Sequence, residues 1–181
     1  MKIYTVSDSY LDHLRKVDGK VPSNDYKNDK PYVGVVLEVN GSKYLAPLTS
    51  EKPALEKLAA NHPTIFKLHA VDDEADKLGA IRILYMIPIV DSEITELDIE
   101  SISDQFYKTL LNKQILFIRK NSEAIQKKAK KLYGLVINKR GAFFRNSCDF
   151  LALEKAKEEY SKPEPVGASE DKLAALKAKF S

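Results

Sequence analysis

Two strand-like runs separated by Asn40-Gly41 restrict this chain more than any other feature. "YVGVVLEV" (32–39) and "SKYLAPLT" (42–49) are rich in β-branched and aromatic residues. Asn-Gly is the preferred dipeptide of a two-residue type I′ hairpin turn. A two-residue loop sets the register: Val39 opposite Ser42, Glu38 opposite Lys43, Tyr32 opposite Thr49. Glu38 and Lys43 then form a favourable cross-strand charge pair. Continued to its open end, the count puts Lys30 opposite Glu51 and Pro31 opposite Ser50, gathering Lys30, Tyr32, Thr49 and Ser50. Pro47 cannot donate to the ladder, so a bulge or an edge is expected near it.

The rest of the chain supplies partners for this hairpin. Ser7 or Asp8 caps a helix through "SYLDHLRKV", with Tyr10, Leu14 and Val17 on one face. The polar stretch "DGKVPSNDYKNDKP" then forms a loop. "TIFKLH" (64–69) and the nearly all-apolar "AIRILYMIPIV" (80–90) read as further strands, the second central, with "AVDDEADKLG" an acidic loop between them. "EITEL" adds a short strand or turn. From Ser101 or Ser103 the period becomes helical through "DQFYKTLLNKQILFIRKN". Phe106, Tyr107, Leu110, Leu111, Ile115, Phe117 and Ile118 fill one arc, Lys108 and Arg119 one rim, Lys113 the other. Gln114 falls inside the arc, where it must either tie down backbone groups or reach into a site. A basic helix "SEAIQKKAKKLYGLVI", a loop "NKRGAFFRNSC" and a helix "DFLALEKAKEEY" follow. "SKPEPVGASED" has linker composition and "KLAALKAKF" reads as a loosely docked helix or tail. One domain over 1–160 with a tail over 161–181 is expected.

Composition excludes several classes. A 181-residue chain with 44% hydrophobic residues is a folded globule rather than a disordered one. There is no secretory h-region and no run of about 20 apolar residues, so a cytoplasmic protein without a membrane partner is expected. One cysteine, Cys148, rules out internal disulfides. The three histidines show no ligand spacing with it, so no metal and no other cofactor is expected. The net charge is only +3, yet its distribution is polar. Ten acidic residues face Lys77 and Arg82 between Asp72 and Asp104, while nine Lys/Arg face only Glu123 between Arg119 and Arg145. Either these are solvated surfaces, or one face meets a polyanion.

Gly-rich phosphate loops, a nucleophile elbow and paired carboxylates in an apolar setting are all missing. Hydroxyls at a strand end, with lysines, tyrosines and arginines, suit a phosphodiester: hydroxyls and N–H groups hold the non-bridging oxygens and a lysine stabilises developing charge. RNA would supply its own nucleophile, the 2′-OH. Taken alone, a Thr-Ser pair at a strand end is more often a simple turn than a phosphate site.

"KVPSNDYKNDKPYVGVVLEVNGSKYLAPLTS", then "FKL", "MIPI" and "FYKTLLNKQILFIRKNSEAI", resemble the ToxN/AbiQ family over roughly residues 1 to 156. These are endoribonuclease toxins of type III toxin–antitoxin systems that serve in abortive infection against phages. The resemblance implies an α+β fold: a strongly twisted antiparallel sheet with a barrel core of the MazF/Kid type, flanked by about four helices. It implies metal-independent cleavage to 2′,3′-cyclic phosphate and 5′-OH ends. Its partners would be target mRNA and an antitoxin RNA of pseudoknot repeats that closes a cyclic assembly with the toxin, the free protein being monomeric. By the same resemblance the catalytic residues are Lys30, Ser50 and Thr49, and RNA contacts fall to Tyr10, Tyr26, Tyr107 and Lys108. Lys113 and Arg119, on the rims of the same helix, join the RNA-binding set. Core packing is the competing role for Tyr10. The competing functions are a non-catalytic RNA-binding module and a scaffold whose basic run meets an acidic protein.

Overall fold

A computed structural model describes residues 1–24 and 33–160. Its sheet is antiparallel in every pairing, with seven strands: β1 (Ile3–Val6), β2 (Val33–Val39), β3 (Ser42–Thr49), β4 (Phe66–His69), β5 (Lys77–Ile81), β6 (Ile87–Pro88) and β7 (Ile94–Glu96). The order is β4-β5-β3-β2-β1-β7, with β6 also on β3. Four longer helices, α1 (Asp8–Val17), α3 (Gln105–Lys120), α4 (Ser122–Ile137) and α6 (Phe150–Glu158), accompany two short ones, α2 (Pro53–Glu56) and α5 (Gly141–Asn146). This is the α+β arrangement expected.

The hairpin forms as its turn demands. Asn40 and Gly41 both have positive φ, 51° and 79°, the signature of type I′. Pairing runs without a break from Val39–Ser42 to Gly34–Pro47, so no bulge interrupts this ladder. Lys43, although opposite Glu38, turns its ammonium to Asp91 at 3.1 Å instead. β6 runs along that edge of β3, and the Ile89 N–H reaches the Lys43 carbonyl, which brings Asp91 within reach.

Pro47 shapes the other edge of β3. There, Tyr44 and Leu45 pair with β6, whereas Leu48 and Thr49 pair with β5. Pro47 lies between the two, its carbonyl accepting from the Arg82 N–H at 2.8 Å. The missing Pro47 N–H faces this gap, where a partner strand would have left a carbonyl unsatisfied. The 80–90 run is therefore not one strand. It breaks into β5 and β6 around a 3₁₀ turn, Ile83–Tyr85, that buries Ile83 and Leu84.

Helix α1 is capped by Ser7 and buries Tyr10, Leu11 and Leu14. Val17, expected on that face, is 50% exposed. The helix ends there, and Asp18 turns inward to accept the N–H groups of Lys20 and Asp149 at 2.9 and 2.8 Å. In α3 the N-cap is Asp104, not Ser101 or Ser103; its carboxylate accepts from the Phe106 and Tyr107 N–H groups. Phe106 is 83% exposed, because it lies in the first turn, ahead of the buried stretch that starts at Leu111. The 138–148 loop contains the short helix α5, entered through Lys139 and Gly141 at positive φ.

Tyr44, Tyr133 and Phe150 pack as an aromatic group, and Glu154 accepts from both tyrosine hydroxyls. Burial pushes the Tyr10 and Tyr44 hydroxyls above the ordinary value of 10.0. The Cys148 thiol is pushed up to about 12 from 9.0 by burial, with Asp18 adding to it. All three folded values are raised, so the folded state holds protons that the unfolded chain releases. The Cys148 contribution is complete below pH 9 and is lost as pH rises through 9 to 12, whereas those of Tyr10 and Tyr44 are complete below pH 10 and are lost above it. Denaturant midpoints measured toward alkaline pH should fall from about pH 9 onward, and Cys148→Ala should move that onset to about pH 10.

Candidate active site

The end of β3 is held by a neighbour that has no side chain. Thr49 pairs with Ala80, and beside it Gly79 takes φ +105°. A Cβ on Gly79 would lie 2.0 Å from the Thr49 carbonyl oxygen and 2.9 Å from Ser50 Cα. The Thr49-Ser50 main chain thus rests directly on a glycine, the only residue allowing both this dihedral and this approach. One residue earlier, the Leu78 carbonyl accepts from Gln114 Nε2 at 2.7 Å, with Gln114 only 2% exposed. Gln114 therefore tethers backbone, the first of the two roles its position in the apolar arc offered. β4 pairs with the same segment through an irregularity at Leu68/His69.

On this floor Ser50 is exposed and Thr49 half-buried. The Thr49 hydroxyl makes only a long bond to the Ser50 carbonyl, 3.3 Å, and the Ser50 hydroxyl has no partner among the described residues. Two hydroxyls at an open sheet end, flanked by Lys52 and faced by Lys67 across Ala80, can donate to an anion's oxygens. Lys30 and Tyr26 lie outside the described residues. The observed register ends at Gly34–Pro47.

The remaining expected RNA contacts are distributed differently. Tyr10 is a core residue, 0% exposed, with its hydroxyl on the Pro88 carbonyl at 2.8 Å and its ring edge-on to Tyr160. That placement corrects its assignment as a base or ribose contact, since no face of the ring meets solvent. Tyr107 is half-buried, and burial raises its hydroxyl pKa. Lys108 pairs with Glu100 at 2.7 Å and Arg119 Nε donates to the Met1 carbonyl at 3.0 Å, both toward the β1–β7 side. Lys113 pairs with Asp76 at 2.6 Å, just ahead of β5 and on the Thr49-Ser50 side. The rims of α3 thus serve opposite ends of the sheet.

Cys148 is buried as a neutral thiol. The histidine nitrogens are engaged locally: His13 with the Ala156 carbonyl, His62 with Thr64, His69 with the Ala70 carbonyl. Among the described residues no three His, Cys, Asp or Glu side chains converge as a metal site would need. Sequence reasoning missed Gly79. The signal for Gly79 was a glycine at the start of an apolar run, a mark of close backbone approach.

Fold and site together define a small α+β protein whose open sheet end offers hydroxyls beside cations. A family model described as "Toxin ToxN, type III toxin-antitoxin system" matches residues 2–158. The endoribonuclease ToxN of Pectobacterium atrosepticum is 38% identical over 165 residues, spanning 90% of this chain and 95% of that protein. A solved chain from work on a processed non-coding RNA regulating a bacterial antiviral system superposes with a TM-score of 0.83 at 36% identity, covering 90% of this chain and 100% of that one. Another, from work on selective inhibition of a type III toxin by a non-coding RNA pseudoknot, gives 0.74 at 32% identity over 89% and 98%. This chain belongs to the ToxN family of type III toxin–antitoxin toxins.

Proposed function

We propose that this protein is an endoribonuclease toxin that cleaves RNA without a metal ion and is held inactive by a repeat-derived pseudoknot RNA, in the cytoplasm, as part of abortive infection by phages. The observation that carries the reading is the Thr49-Ser50 main chain resting on Gly79 at the end of β3, with Ser50 exposed and Thr49 half-buried. In the reaction the RNA 2′-oxygen attacks phosphorus, its proton passing to a base, while the bond to the 5′-oxygen breaks and that oxygen takes up a proton. The products are a 2′,3′-cyclic phosphate and a 5′-OH. Ser50 and Thr49 hold the non-bridging oxygens, where charge grows in the transition state, and Lys30 neutralises it. Lys113 and Tyr107 extend the RNA contact along α3. Lys108 and Arg119, on the other side, suit a second RNA segment in a cyclic toxin–antitoxin assembly.

Incubating the purified protein with RNA in EDTA and mapping the ends tests this. Discrete cuts ending in cyclic phosphate and 5′-OH, abolished by Lys30→Ala, are expected. Binding without cuts would establish the non-catalytic RNA module instead. Weak binding that barely changes with salt would point to a protein scaffold, since phosphate contacts make RNA affinity fall steeply with salt.

A further inference from the structure

The residue that follows β5 brings a cation to the same face of the sheet as Thr49. Residues opposite one another, and residues two apart along a strand, project to one face. Thr49 pairs with Ala80, and Ala80 with Lys67. Two residues along, the Arg82 N–H meets the Pro47 carbonyl at 2.8 Å, so Arg82 stands opposite Pro47. Lys67, Thr49 and Arg82 therefore share a face. Arg82 is one diagonal step from Thr49, about 7–8 Å between backbones and within reach of a long side chain.

The Arg82 guanidinium lies 4.2 Å from the centre of the Tyr85 ring. Among the described residues it has no carboxylate within ion-pair distance. The Glu56 carboxylate is engaged by Lys77 at 2.5 Å, and Lys67 donates to the Glu56 carbonyl. A half-buried guanidinium gains from an anionic ligand that completes its hydrogen bonds. Stacking on Tyr85 uses one flat side of the guanidinium and leaves its edge N–H groups, a fork that matches two phosphate oxygens.

We infer that Arg82, laid on Tyr85, grips the RNA phosphate next along the strand from the one at Thr49-Ser50, and so sets where the substrate lies across the sheet. This rests on reading Thr49-Ser50 as the scissile-phosphate site. Two residues of sheet, about 7 Å at 3.4 Å per residue, match one step between phosphates of an extended single strand. Arg82 binds ground state and transition state alike, so its loss acts on KM rather than kcat.

The test compares Arg82→Gln, Arg82→Lys and Tyr85→Leu. One readout is binding of a fluorescein-labelled single-stranded RNA of mixed sequence to the Ser50→Ala protein across a salt series. The other is cleavage of an RNA carrying a mapped cut site. Arg82→Gln should weaken binding roughly tenfold, lower the slope of log affinity against log salt by about one and raise KM with kcat nearly unchanged. Arg82→Lys should restore the salt slope but only part of the affinity, because the point charge lacks the fork. Tyr85→Leu should fall between wild type and Arg82→Gln. Unchanged binding and salt slope in Arg82→Gln overturn the inference while leaving the nuclease reading intact. Weakened binding by a protein that never cuts RNA sinks the nuclease reading and leaves Arg82 as an RNA contact. An Arg82→Gln protein that fails to fold leaves Arg82→Lys to decide: full affinity there overturns the fork.

Discussion

Ser50→Ala is expected to slow RNA cleavage by at least about a hundredfold, the usual loss when one donor to a developing oxyanion is removed. Folding should be untouched. Ser50 is exposed, at the end of β3, and its hydroxyl has no protein partner among the described residues. Surface substitutions of that kind stay within about 0.5 kcal/mol. The pairing of Leu48 and Thr49 with β5 uses backbone groups alone, so the strand end keeps its place. Single-turnover cleavage measured beside thermal unfolding decides the matter. A stable Ser50→Ala protein that cuts at the wild-type rate would remove Ser50 from the chemistry. RNA affinity should fall far less than the rate, because the hydroxyl acts most strongly on charge that appears only as the phosphorane forms.

Gly79→Ala should damage both stability and activity, through one atom. The new Cβ would need to lie 2.0 Å from the Thr49 carbonyl oxygen, at a φ of +105° that alanine avoids. The atoms in its way are backbone, so no side-chain rotation relieves the clash. Either β5 or the Thr49-Ser50 peptide must move by an ångström or more. Backbone strain of this kind costs on the order of 1–3 kcal/mol, a drop of several degrees in thermal midpoint for a chain of this size. A misplacement of about 1 Å at a reacting group costs roughly a hundredfold in rate. The two effects separate at a temperature where the variant is fully folded: the rate loss should persist there. Wild-type cleavage by folded Gly79→Ala would show that the hydroxyls are not positioned through this contact. Gln114 is the natural comparison. It holds the Leu78 carbonyl from the other side of the same segment, yet it leaves the Thr49-Ser50 contact itself in place.

Local rules carried much of the fold. Asn40-Gly41 defined turn, register and the antiparallel hairpin because a type I′ turn accepts few other residues. Ser7 and the spacing of Tyr10 and Leu14 placed α1, and the apolar arc with Gln114 at its centre placed α3 and its tether. Pattern failed where a distant partner decided. The 80–90 run looked continuous, but Pro47, over thirty positions earlier in sequence, withholds the N–H that a continuous strand would have needed. Phe106 fits the apolar arc, yet it is exposed on the outward side of the first turn of α3, while Tyr107 beside it is half-buried. Tyr10 fits both a core and a site by spacing; its hydroxyl meeting the Pro88 carbonyl puts it in the core.

The candidate site divides the same way. The hydroxyl pair at the end of a strand, and the lysines beside it, are written in consecutive residues and were legible from the chain. In the proposed site they meet segments far apart in sequence: Gly79 beneath Thr49-Ser50, and Arg82 across from Pro47. Periodicity and turn chemistry act over a few residues, so the sequence by itself determined which hydroxyls sit at a strand end. Which strand lies next to them, at what register and with how little room, depends on how Pro47 and the β5–β6 break let the sheet close, and only the tertiary structure decided that.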